Sequence, residues 1–351
     1  MINKKVTILS IGEKKDFDSY RKFHSQRDMI RQRGFVYRSI DFDRLFGDQA
    51  PQIKNDKVIV FIFFPFKYWE ENIEHQRYRG IYGNLTFYNK FRKYGKAVRK
   101  RLEKVISARE VVFVNDPEKV SYYRDKHTMK KELSRKGVNV PREVEPRDAG
   151  SIERRLDKGE KFFIKPRCGS MGKGITYLEK GNWQTNFEVS EDRIKSLRSD
   201  YGWVFRDVTR NRGFLKQLLK KDVVVEEAID PLKIKGRIVD FRVYAFFDKV
   251  LYIYPRKGKA GSVTTNISQG AKGSPRLRST LSDKTVGKIK EQVISAMDAL
   301  QLKFVGVDIM LNRDKSEAFV IDVNMFPGLP KVGTFNISNH MADELSRISV
   351  R

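Results

Sequence analysis

Cysteine is scarce in this sequence, which has 351 residues and a single thiol, Cys168. One cysteine excludes an internal disulfide framework and a cysteine-rich metal site. Cys168 lies in a loop rich in glycine, and no partner histidine for it is evident among the four in the chain. We therefore expect a thiol that takes no part in catalysis.

Long apolar runs are missing as well. Residues 1–11 carry only a short apolar run, and no other segment approaches the ~18 apolar residues that a membrane-spanning helix needs. We expect a soluble, cytoplasmic protein without a membrane partner. Internal repeats and low-complexity tracts are also absent from the sequence.

Acidic residues are outnumbered by basic ones. The chain has 71 Lys and Arg against 44 Asp and Glu, and its formal net charge is +27. Such an excess creates a positive field that attracts anionic partners. A nucleotide, an acidic peptide and a nucleic acid all satisfy this field, so charge alone does not select among them.

Basic residues are concentrated in residues 85–109, where Glu103 is the single acid. The apolar residues of this stretch recur at helical spacing, at Phe87, Phe91, Tyr94, Val98, Leu102 and Val105. The pattern predicts an amphipathic helix with a buried apolar face and a basic exposed face. Nucleic-acid binding stays an alternative, because exposed aromatic rings among cations stack on bases. Here the rings fall on the apolar stripe, which favours a core helix.

Residues 1–116 alternate short apolar runs with amphipathic stretches. This alternation predicts an α/β domain with a small parallel sheet, and no glycine fingerprint for a dinucleotide accompanies it. The predicted strands are residues 6–11, 35–40, 58–64 and 111–114, and the predicted helices are residues 20–33 and 87–106. A further helix is predicted over residues 122–136, which Gly137 and the nearby Pro141 terminate.

The most informative stretch is residues 161–178. Lys165 ends an apolar strand there, and a glycine loop, residues 167–174, leads into a second strand. Walker and Rossmann phosphate loops open a helix, and no helical pattern follows here. The stretch therefore predicts a β-hairpin whose loop amides fold over phosphates, with Lys165 as a fixed charge beside them. Taken alone, a surface hairpin that ends in a lysine explains it equally well.

Two further segments carry charged residues on predicted strands. Residues 223–229 predict a buried strand that ends in Glu226 and Glu227, suited to an adenine and ribose pocket. Residues 239–254 predict an antiparallel pair that carries Arg242, and an arginine held on a strand is well placed for a phosphate or carboxylate. The following residues 264–276 form a polar loop that is too poor in apolar residues for a core.

Oxygen ligands occur on the last two predicted strands. Asp308 lies on one, and Asp322 and Asn324 lie two residues apart on the other, so they face the same side. Magnesium needs only a few carboxylate or amide oxygens together with phosphate oxygens. The set therefore predicts a magnesium site, although carboxylates at strand ends without a metal are common.

In the order in which these motifs occur, the chain resembles the ATP-grasp superfamily, in particular bacterial glutathione synthetases and RimK-type glutamate ligases. The resemblance covers residues 115–333. The matching segments are residues 115–117, 125–126, 163–166, 169–174, 226–227, 240–243, Asn266 with Gly270, residues 273–276, 306–308, 322–324 and 327–328. The resemblance implies an α/β (α+β) fold with a small N-terminal parallel-sheet domain, residues 1–116. A two-subdomain ATP-grasp region follows, with subdomains at residues 117–227 and 228–351.

The resemblance also implies ATP and two magnesium ions as cofactors, with manganese as an alternative metal. It assigns ATP phosphates to Lys126 and Lys165. Catalytic roles are implied for Lys165, Arg242, Arg256 and Asn266. Other implied nucleotide contacts are Gly169, Ser170, Met171, Gly172, Gly174, Glu226, Glu227, Ala228, Ile229 and Asp230. The implied metal ligands are Asp308, Asp322 and Asn324.

Two positions depart from the pattern of that superfamily. Asp322 stands where the metal-bridging acid is usually glutamate, and its side chain is one methylene shorter. Thr264 stands where relatives often carry a second basic residue, and Lys259, Lys272 or Arg276 could substitute for it.

The activity implied by the resemblance is that of an ATP-dependent carboxylate–amine ligase, which forms an amide or peptide bond through an acyl phosphate. The substrates would be an amine and a small-molecule or peptide carboxylate, and the positive field favours an acidic or glutamate-bearing acceptor. Two alternatives stay open: an ATP-grasp kinase that stops at phosphoryl transfer, and a non-catalytic nucleic-acid-binding protein. A homo-oligomer is compatible with the sequence.

Overall fold

The structure of the protein is a computed structural model. The described residues are 6–13, 18–71, 80–145, 148–190, 193–195, 204–331 and 333–348. The first part contains β1 (Val6–Ile11), α1 (Asp18–His24), α2 (Arg27–Gln32), β2 (Val36–Ile40), α3 (Phe42–Phe46), β3 (Ile53–Ile62), α4 (Phe66–Trp69), α5 (Leu85–Val105) and β4 (Ile106–Val114).

The N-terminal sheet has the strand order β2-β1-β3-β4, and each pair of neighbours is parallel. β1 is buried along its whole length. A strand that is buried on both faces is typical of a parallel sheet that is covered on both sides. The small parallel sheet predicted from the alternating pattern is confirmed.

The middle part contains the elements that surround the glycine loop. They are α6 (Pro117–Tyr122), α7 (Lys126–Arg135), α8 (Ala149–Asp157), β5 (Phe162–Pro166), β6 (Thr176–Glu179), β7 (Asn182–Thr185), β8 (Glu188–Ser190), β9 (Arg193–Lys195), β10 (Arg206–Asp207), α9 (Arg212–Leu219) and β11 (Val223–Glu227). Their main sheet has the order β10-β7-β6-β5-β11, with antiparallel neighbours. β5 and β6 form the predicted hairpin around the glycine loop.

Some boundaries differ from the predicted ones. The helix expected over residues 20–33 is broken into α1 and α2. The helix expected over residues 122–136 begins at Lys126, because the Asp125 carboxylate accepts a hydrogen bond from the backbone N–H of His127 and caps α7 there. β4 follows α5 without a loop and is longer than expected.

The third part contains β12 (Lys233–Ile234), β13 (Arg237–Phe246), β14 (Lys249–Lys257), β15 (Lys272–Gly273), α10 (Asp283–Leu300), β16 (Phe304–Leu311), β17 (Ala318–Asn324) and α11 (Ile337–Ile348). The sheet runs in the order β15-β14-β13-β16-β17, and β12 pairs with β13. Its neighbours are antiparallel, so the strand pair predicted around the turn after β13 is confirmed. The polar loop predicted at residues 264–276 contains a short 3₁₀ turn at residues 267–269, the short strand β15 and the start of a second 3₁₀ turn at Pro275.

The domain boundaries proposed at residues 116 and 227 stay predictions. One hydrophobic cluster contains residues of the N-terminal sheet, α5, α7 and the C-terminal sheet, and a separate cluster lies under the middle sheet. Among the helices in the described ranges, none combines the length and the apolar character that crossing a bilayer requires.

The apolar face of α5 is buried, as predicted. Phe87, Phe91 and Tyr94 are at most 8% exposed, so these rings are not available to stack on bases. The basic residues of α5 fall into two groups. The lysines Lys93, Lys96, Lys100 and Lys104 are exposed. The arginines are instead used in internal contacts.

Arg99 shows how an arginine of α5 is used. Its guanidinium donates to Asp116 at 2.6 Å and to Glu103 at 2.8 Å, and it lies 4.2 Å from the ring centroid of Phe113. These contacts tie α5 to the end of β4 and to the start of α6. The prediction that the whole basic face is solvated is therefore wrong for Arg99.

The segment of residues 80–84, just before α5, packs against the glycine loop. The carbonyl of Gly83 accepts a hydrogen bond from the N–H of Cys168 at 2.8 Å, and the Tyr82 hydroxyl lies 3.0 Å from that of Ser170. Gly83 has φ +77°, and a Cβ added there would lie 2.4 Å from the backbone nitrogen of Gly169. The N-terminal part therefore supports the glycine loop through a close approach of two backbones.

We predict that Arg99→Gln lowers the apparent free energy of unfolding by about 1–2 kcal/mol, because two ion pairs and a cation–π contact are lost. Denaturant titration followed by circular dichroism measures the change. Lys96→Gln, on the exposed side of the same helix, is the matched control and should stay within about 0.5 kcal/mol of the parent protein. If both variants lose the same free energy of unfolding, the contacts of Arg99 do not stabilise the fold as proposed.

We also predict that Gly83→Ala opens the glycine loop. Tryptic cleavage at the buried Lys173 should become roughly tenfold faster or more, because a methyl group overlapping the loop backbone destabilises the closed arrangement. Gly137 also has φ +77° but nothing lies within 4 Å of its added Cβ, so Gly137→Ala carries the same backbone strain without the overlap. If both variants are cleaved at the same rate, the contact does not hold the loop.

Candidate active site

Three charged residues form a row across neighbouring strands of the C-terminal sheet. Arg242 on β13 is directly opposite Asp308 on β16, which is directly opposite Asp322 on β17. Arg242 Nε donates to Asp308 Oδ1 at 2.5 Å, and its Nη2 donates to Oδ2 at 3.1 Å. Side chains at directly paired positions share one face of a sheet. The register thus brings together three residues that the sequence singled out.

Arg256 on β14 extends this row through a buried network. Its guanidinium donates to Asp240 Oδ1 at 2.8 Å and lies 2.9 Å from Asp308 Oδ1. Burial alone would lower the pKa of Arg256, but Asp240 and Asp308 outweigh burial and raise the pKa. Arg256 is only 6% exposed, so most of its fork is engaged by carboxylates. Its implied contact with an acyl group stays a prediction.

Lys126 supplies the cation beside Asp322. Its Nζ donates to both carboxylate oxygens, at 2.9 and 2.8 Å. Burial alone would raise the pKa of Asp322, but Lys126 and the more distant Lys165 and Lys130 outweigh burial and lower the pKa to about 2. The carboxylate is therefore ionised at neutral pH, with a lysine in contact with it.

The start of α7 places Lys126 at the site. Asp125 caps the helix and also accepts a 2.9 Å hydrogen bond from Arg167, which lies just after β5. The backbone N–H of Lys126 donates to the carbonyl of Arg167 at 2.9 Å. The helix therefore begins against the end of the strand that carries Lys165.

Lys165 belongs to a buried triad of charges. Its Nζ donates to Glu226 Oε2 at 2.7 Å, and Lys130 Nζ lies 2.6 Å from Glu226 Oε1. The side chains of Lys130, Glu226 and Lys165 are 4%, 1% and 14% exposed. Burial alone would raise the pKa of Glu226, but the two lysines outweigh burial and lower the pKa to about 2. Glu226 is ionised and buried between two cations.

The remaining hinge residues follow Glu226 along the chain. Glu227 accepts hydrogen bonds from Arg142 and, at 2.6 Å, from Arg155. The backbone N–H of Ala228 donates to the carbonyl of Lys161 at 2.8 Å. Ile229 is half-buried, and Asp230 is exposed with Arg313 3.0 Å away. Glu226 and Glu227 are consecutive on β11, so their side chains point to opposite faces of the sheet and contact different cations, whereas Asp230 is exposed.

The glycine loop meets the polar loop that carries Asn266. A Cβ added to Gly172 would lie 3.1 Å from Asn266 Nδ2 and 3.0 Å from Gln269 Nε2. Gly174 has φ +76°, and an added Cβ there would lie 2.6 Å from the ring of Phe187. Met171 also has a positive φ, +57°, and the residue is 37% exposed. Close packing on one side leaves little room for side chains in the loop.

The polar loop has cations on its surface, but Thr264 is not one of its exposed residues. The Thr264 hydroxyl is buried and bonds to the side chain of Gln269. Lys259 approaches Gly270 so closely that an added Cβ there would lie 2.6 Å from the lysine Nζ. Lys272 and Arg276 are exposed. Thr264 stands where relatives often carry a basic residue, and the three basic residues named as its substitutes all lie on this loop or beside it.

Cys168 has the environment of an inert thiol. It is completely buried, and burial raises the pKa of its thiol to about 12. Thiolate, not thiol, is the nucleophile, so this group is unreactive near neutral pH. The expectation of a thiol without a catalytic role is consistent with this burial.

The oxygen ligands fit magnesium that arrives with a phosphorylated ligand. Among the described residues, no group of three or more His, Cys, Asp or Glu is placed to hold a metal. Asp308 and Asp322 face each other, and Asn324 Nδ2 lies 3.4 Å from Asp308 Oδ2. Magnesium commonly binds to one or two carboxylates together with substrate phosphates. Two carboxylates and an amide therefore fit such an ion only when phosphate oxygens complete its coordination.

Several residues of the site were not found from the sequence. Lys130, Arg142 and Arg155 contact the two glutamates of β11, and Tyr82 and Gly83 contact the glycine loop. Only Lys130 had a signal in the sequence. It lies four residues after Lys126, one helical turn away on the same face.

Comparison with known proteins gives the family of the chain. A protein named "Probable alpha-L-glutamate ligase" from Vibrio vulnificus (strain YJ016) is 27% identical over 239 residues, which are 67% of this chain and 65% of that protein. The chain thus spans slightly less than two thirds of that relative's length.

Solved structures share the fold at low sequence identity. The ATP-grasp ligase PsnB, complexed with minimal precursor, Mg and ADP, is 17% identical with a TM-score of 0.56 and covers 98% of each chain. D-alanine–D-alanine ligase from Bacillus anthracis is 15% identical with a TM-score of 0.52, over 99% of this chain and 98% of that one. A family model described as "YheC/D like ATP-grasp" matches residues 120–346, more than half of the chain. The superfamily resemblance seen in the motifs is confirmed, and the protein belongs to the YheC/D-like ATP-grasp family.

Proposed function

We propose that the protein is an ATP-dependent carboxylate–amine ligase that forms an amide or peptide bond through an acyl phosphate. One observation carries this proposal. Lys126, Arg242 and Arg256 each contact Asp308 or Asp322 on adjacent strands, so cations for phosphates and ligands for magnesium share one surface. Phosphoryl transfer needs mainly such alignment and charge neutralisation.

The nucleotide would lie between the middle sheet and the C-terminal sheet. Lys126 and Lys165 would contact its phosphates, and the glycine loop would cover them. Residues 226–230 would line the adenine and ribose. In this arrangement Lys126 and Lys165 direct part of their hydrogen bonding from carboxylates to phosphates, which flexible ammonium groups can do without moving the backbone.

Asp308, Asp322 and Asn324 would hold magnesium. Bound there with ATP, one or two such ions, or manganese, would neutralise phosphate charge and hold the transferred group in line. Asp322 is shorter than a glutamate, but it lies directly opposite Asp308, so the two carboxylates are already adjacent.

The reaction would proceed in two steps. An oxygen of the acceptor carboxylate bonds to the γ-phosphorus, the bond to the bridging oxygen breaks, and ADP leaves. The amine nitrogen then bonds to the acyl carbon, the bond to phosphate breaks, and the amine loses a proton. Arg242 would stabilise charge on the transferred phosphoryl group, and the closed glycine loop would keep water from the acyl phosphate.

An acidic acceptor fits the surroundings of the polar loop. Lys259, Lys272 and Arg276 lie on this loop or beside it, and Arg256 and Asn266 would contact the acyl group. The protein from Vibrio vulnificus is named a glutamate ligase, and PsnB is complexed with a precursor. A glutamate-bearing peptide or a small polycarboxylate is therefore the acceptor class we propose.

Hydroxylamine trapping tests the first step. ADP release is first screened over pairs of carboxylates and amines, and the active carboxylate is then incubated with ATP and hydroxylamine in place of the amine. We expect a hydroxamate. Lys165→Ala should lower hydroxamate formation and ADP release together, by roughly a hundredfold or more, because a cation beside the transferred group is lost.

Lys161→Ala is the matched control, since Lys161 precedes the same strand and pairs with Glu179 at its surface. It should leave both rates within a factor of about two. ADP release that needs only one substrate and gives no hydroxamate would indicate a kinase. If no pair of substrates gives ADP release, a non-catalytic binding protein is favoured. If Lys165→Ala forms hydroxamate at the parent rate, Lys165 takes no part in the first step.

A second prediction concerns the metal ligands. Asp322→Asn should reduce magnesium-dependent turnover at least a hundredfold, because one of two carboxylate ligands becomes neutral. Binding of Mn²⁺ in the presence of a non-hydrolysable ATP analogue, measured by electron paramagnetic resonance, should weaken in parallel. Asp314→Asn, in the exposed turn between β16 and β17, is the control. Unchanged Mn²⁺ binding in Asp322→Asn would refute the metal assignment.

A further inference from the structure

The buried triad of Lys130, Glu226 and Lys165 contains one more cation than the pairing of Glu226 requires. Lys165 donates a hydrogen bond to Glu226, and Lys130 lies 2.6 Å from the other oxygen of the same carboxylate. Two positive charges and one negative charge leave a surplus of one positive charge. Whether this surplus charge lies on Lys130 or on Lys165 decides whether Lys165 can bind a second anion.

The two lysines differ in their access to solvent. Lys130, on α7, is 3% exposed. The side chain of Lys165, near the end of β5 and close to the glycine loop, is 14% exposed. Lys130 Nζ is buried, and its ion pair with Glu226 is the contact within 4 Å of an acidic oxygen that it makes among the described residues. A ligand in the site can therefore reach Lys165 but not Lys130.

We propose that Lys130 is a positioning residue that neutralises Glu226 and thereby leaves the charge of Lys165 available to a nucleotide phosphate. This inference rests on the proposed function, since it concerns the same site. Without Lys130, Lys165 would be the remaining cation of the triad beside the Glu226 carboxylate. Lys165 would then stay paired with Glu226, and the negative charge of Glu226 would repel an incoming phosphate. With Lys130 present, Lys165 can turn one of its three N–H donors to the phosphate while Glu226 keeps a counter-charge.

The charges around the triad are consistent with this role. Burial lowers the pKa of Lys130 to about 8, with Lys165 and Lys126 adding to that effect and Glu226 opposing it. The group is therefore still mostly protonated at neutral pH. Lys130 and Lys165 also both help to lower the pKa of Asp322, which places the triad within electrostatic reach of the proposed metal ligands.

A double-mutant cycle tests the inference. Binding of an ATP analogue with magnesium is measured by calorimetry for the parent protein, Lys130→Met, Glu226→Gln and the double variant. We expect Lys130→Met to weaken binding roughly tenfold to a hundredfold, because the remaining carboxylate holds Lys165. Adding Glu226→Gln should recover most of this loss, because the carboxylate that competes for Lys165 is gone. A lysine that only supports the fold would show no such recovery.

The comparison between Glu226→Gln and the double variant does not depend on whether Lys130→Met folds. Once the carboxylate is neutral, removing Lys130 should change the affinity by less than about threefold. A double variant that binds as weakly as Lys130→Met, or much more weakly than Glu226→Gln, would overturn the proposal. So would Lys130→Met binding as tightly as the parent. A parent protein that binds no ATP analogue would instead refute the proposed function itself.

Discussion

Pairing of buried carboxylates with cations is the constraint on which the site depends. The side chains of Glu226, Asp308 and Asp322 lie in or near the interior, and a buried charge without a partner costs several kcal/mol. Their cations come from α7, β5, β13 and β14. Glu226 is paired within the middle part and Asp308 within the C-terminal sheet, whereas the pair between Lys126 and Asp322 joins the middle part to that sheet. The pair between Lys126 and Asp322 therefore belongs both to the candidate site and to the contact between these two parts of the fold.

Strand register supplies most of this pairing. Arg242 is opposite Asp308, Arg256 is opposite Asp240, and Lys165 is diagonal to Glu226 across β5 and β11. A shift of one residue in any of these ladders would turn the charged side chains to the other face and bury them among apolar groups. The apolar residues between the charges are buried, which opposes such a shift.

Local pattern was enough to predict the strands, the glycine hairpin and the charged residues that the strands carry, because alternation and helical spacing are local properties. It was also enough to predict the buried face of α5. It could not show that Arg99 is used internally, because Asp116 and Phe113 approach it only after folding. Lys130 was missed for a similar reason. A lysine in a helix looks like a surface residue until a buried glutamate from a strand about a hundred positions away lies beside it.

Arginine and lysine have different uses in this site. Arg167, Arg242 and Arg256 form two-pronged contacts with aspartates, and a planar fork held in this way is fixed in position. Lys126 and Lys165 hold their carboxylates by a single flexible ammonium group, which can share its donors with another anion. The arginines are thus suited to keep the carboxylates in register, and the lysines are suited to follow a phosphate as it enters. Exchanging lysine and arginine at these positions would preserve the charge, but the fixed contacts and the adaptable contacts would no longer lie where the site needs them.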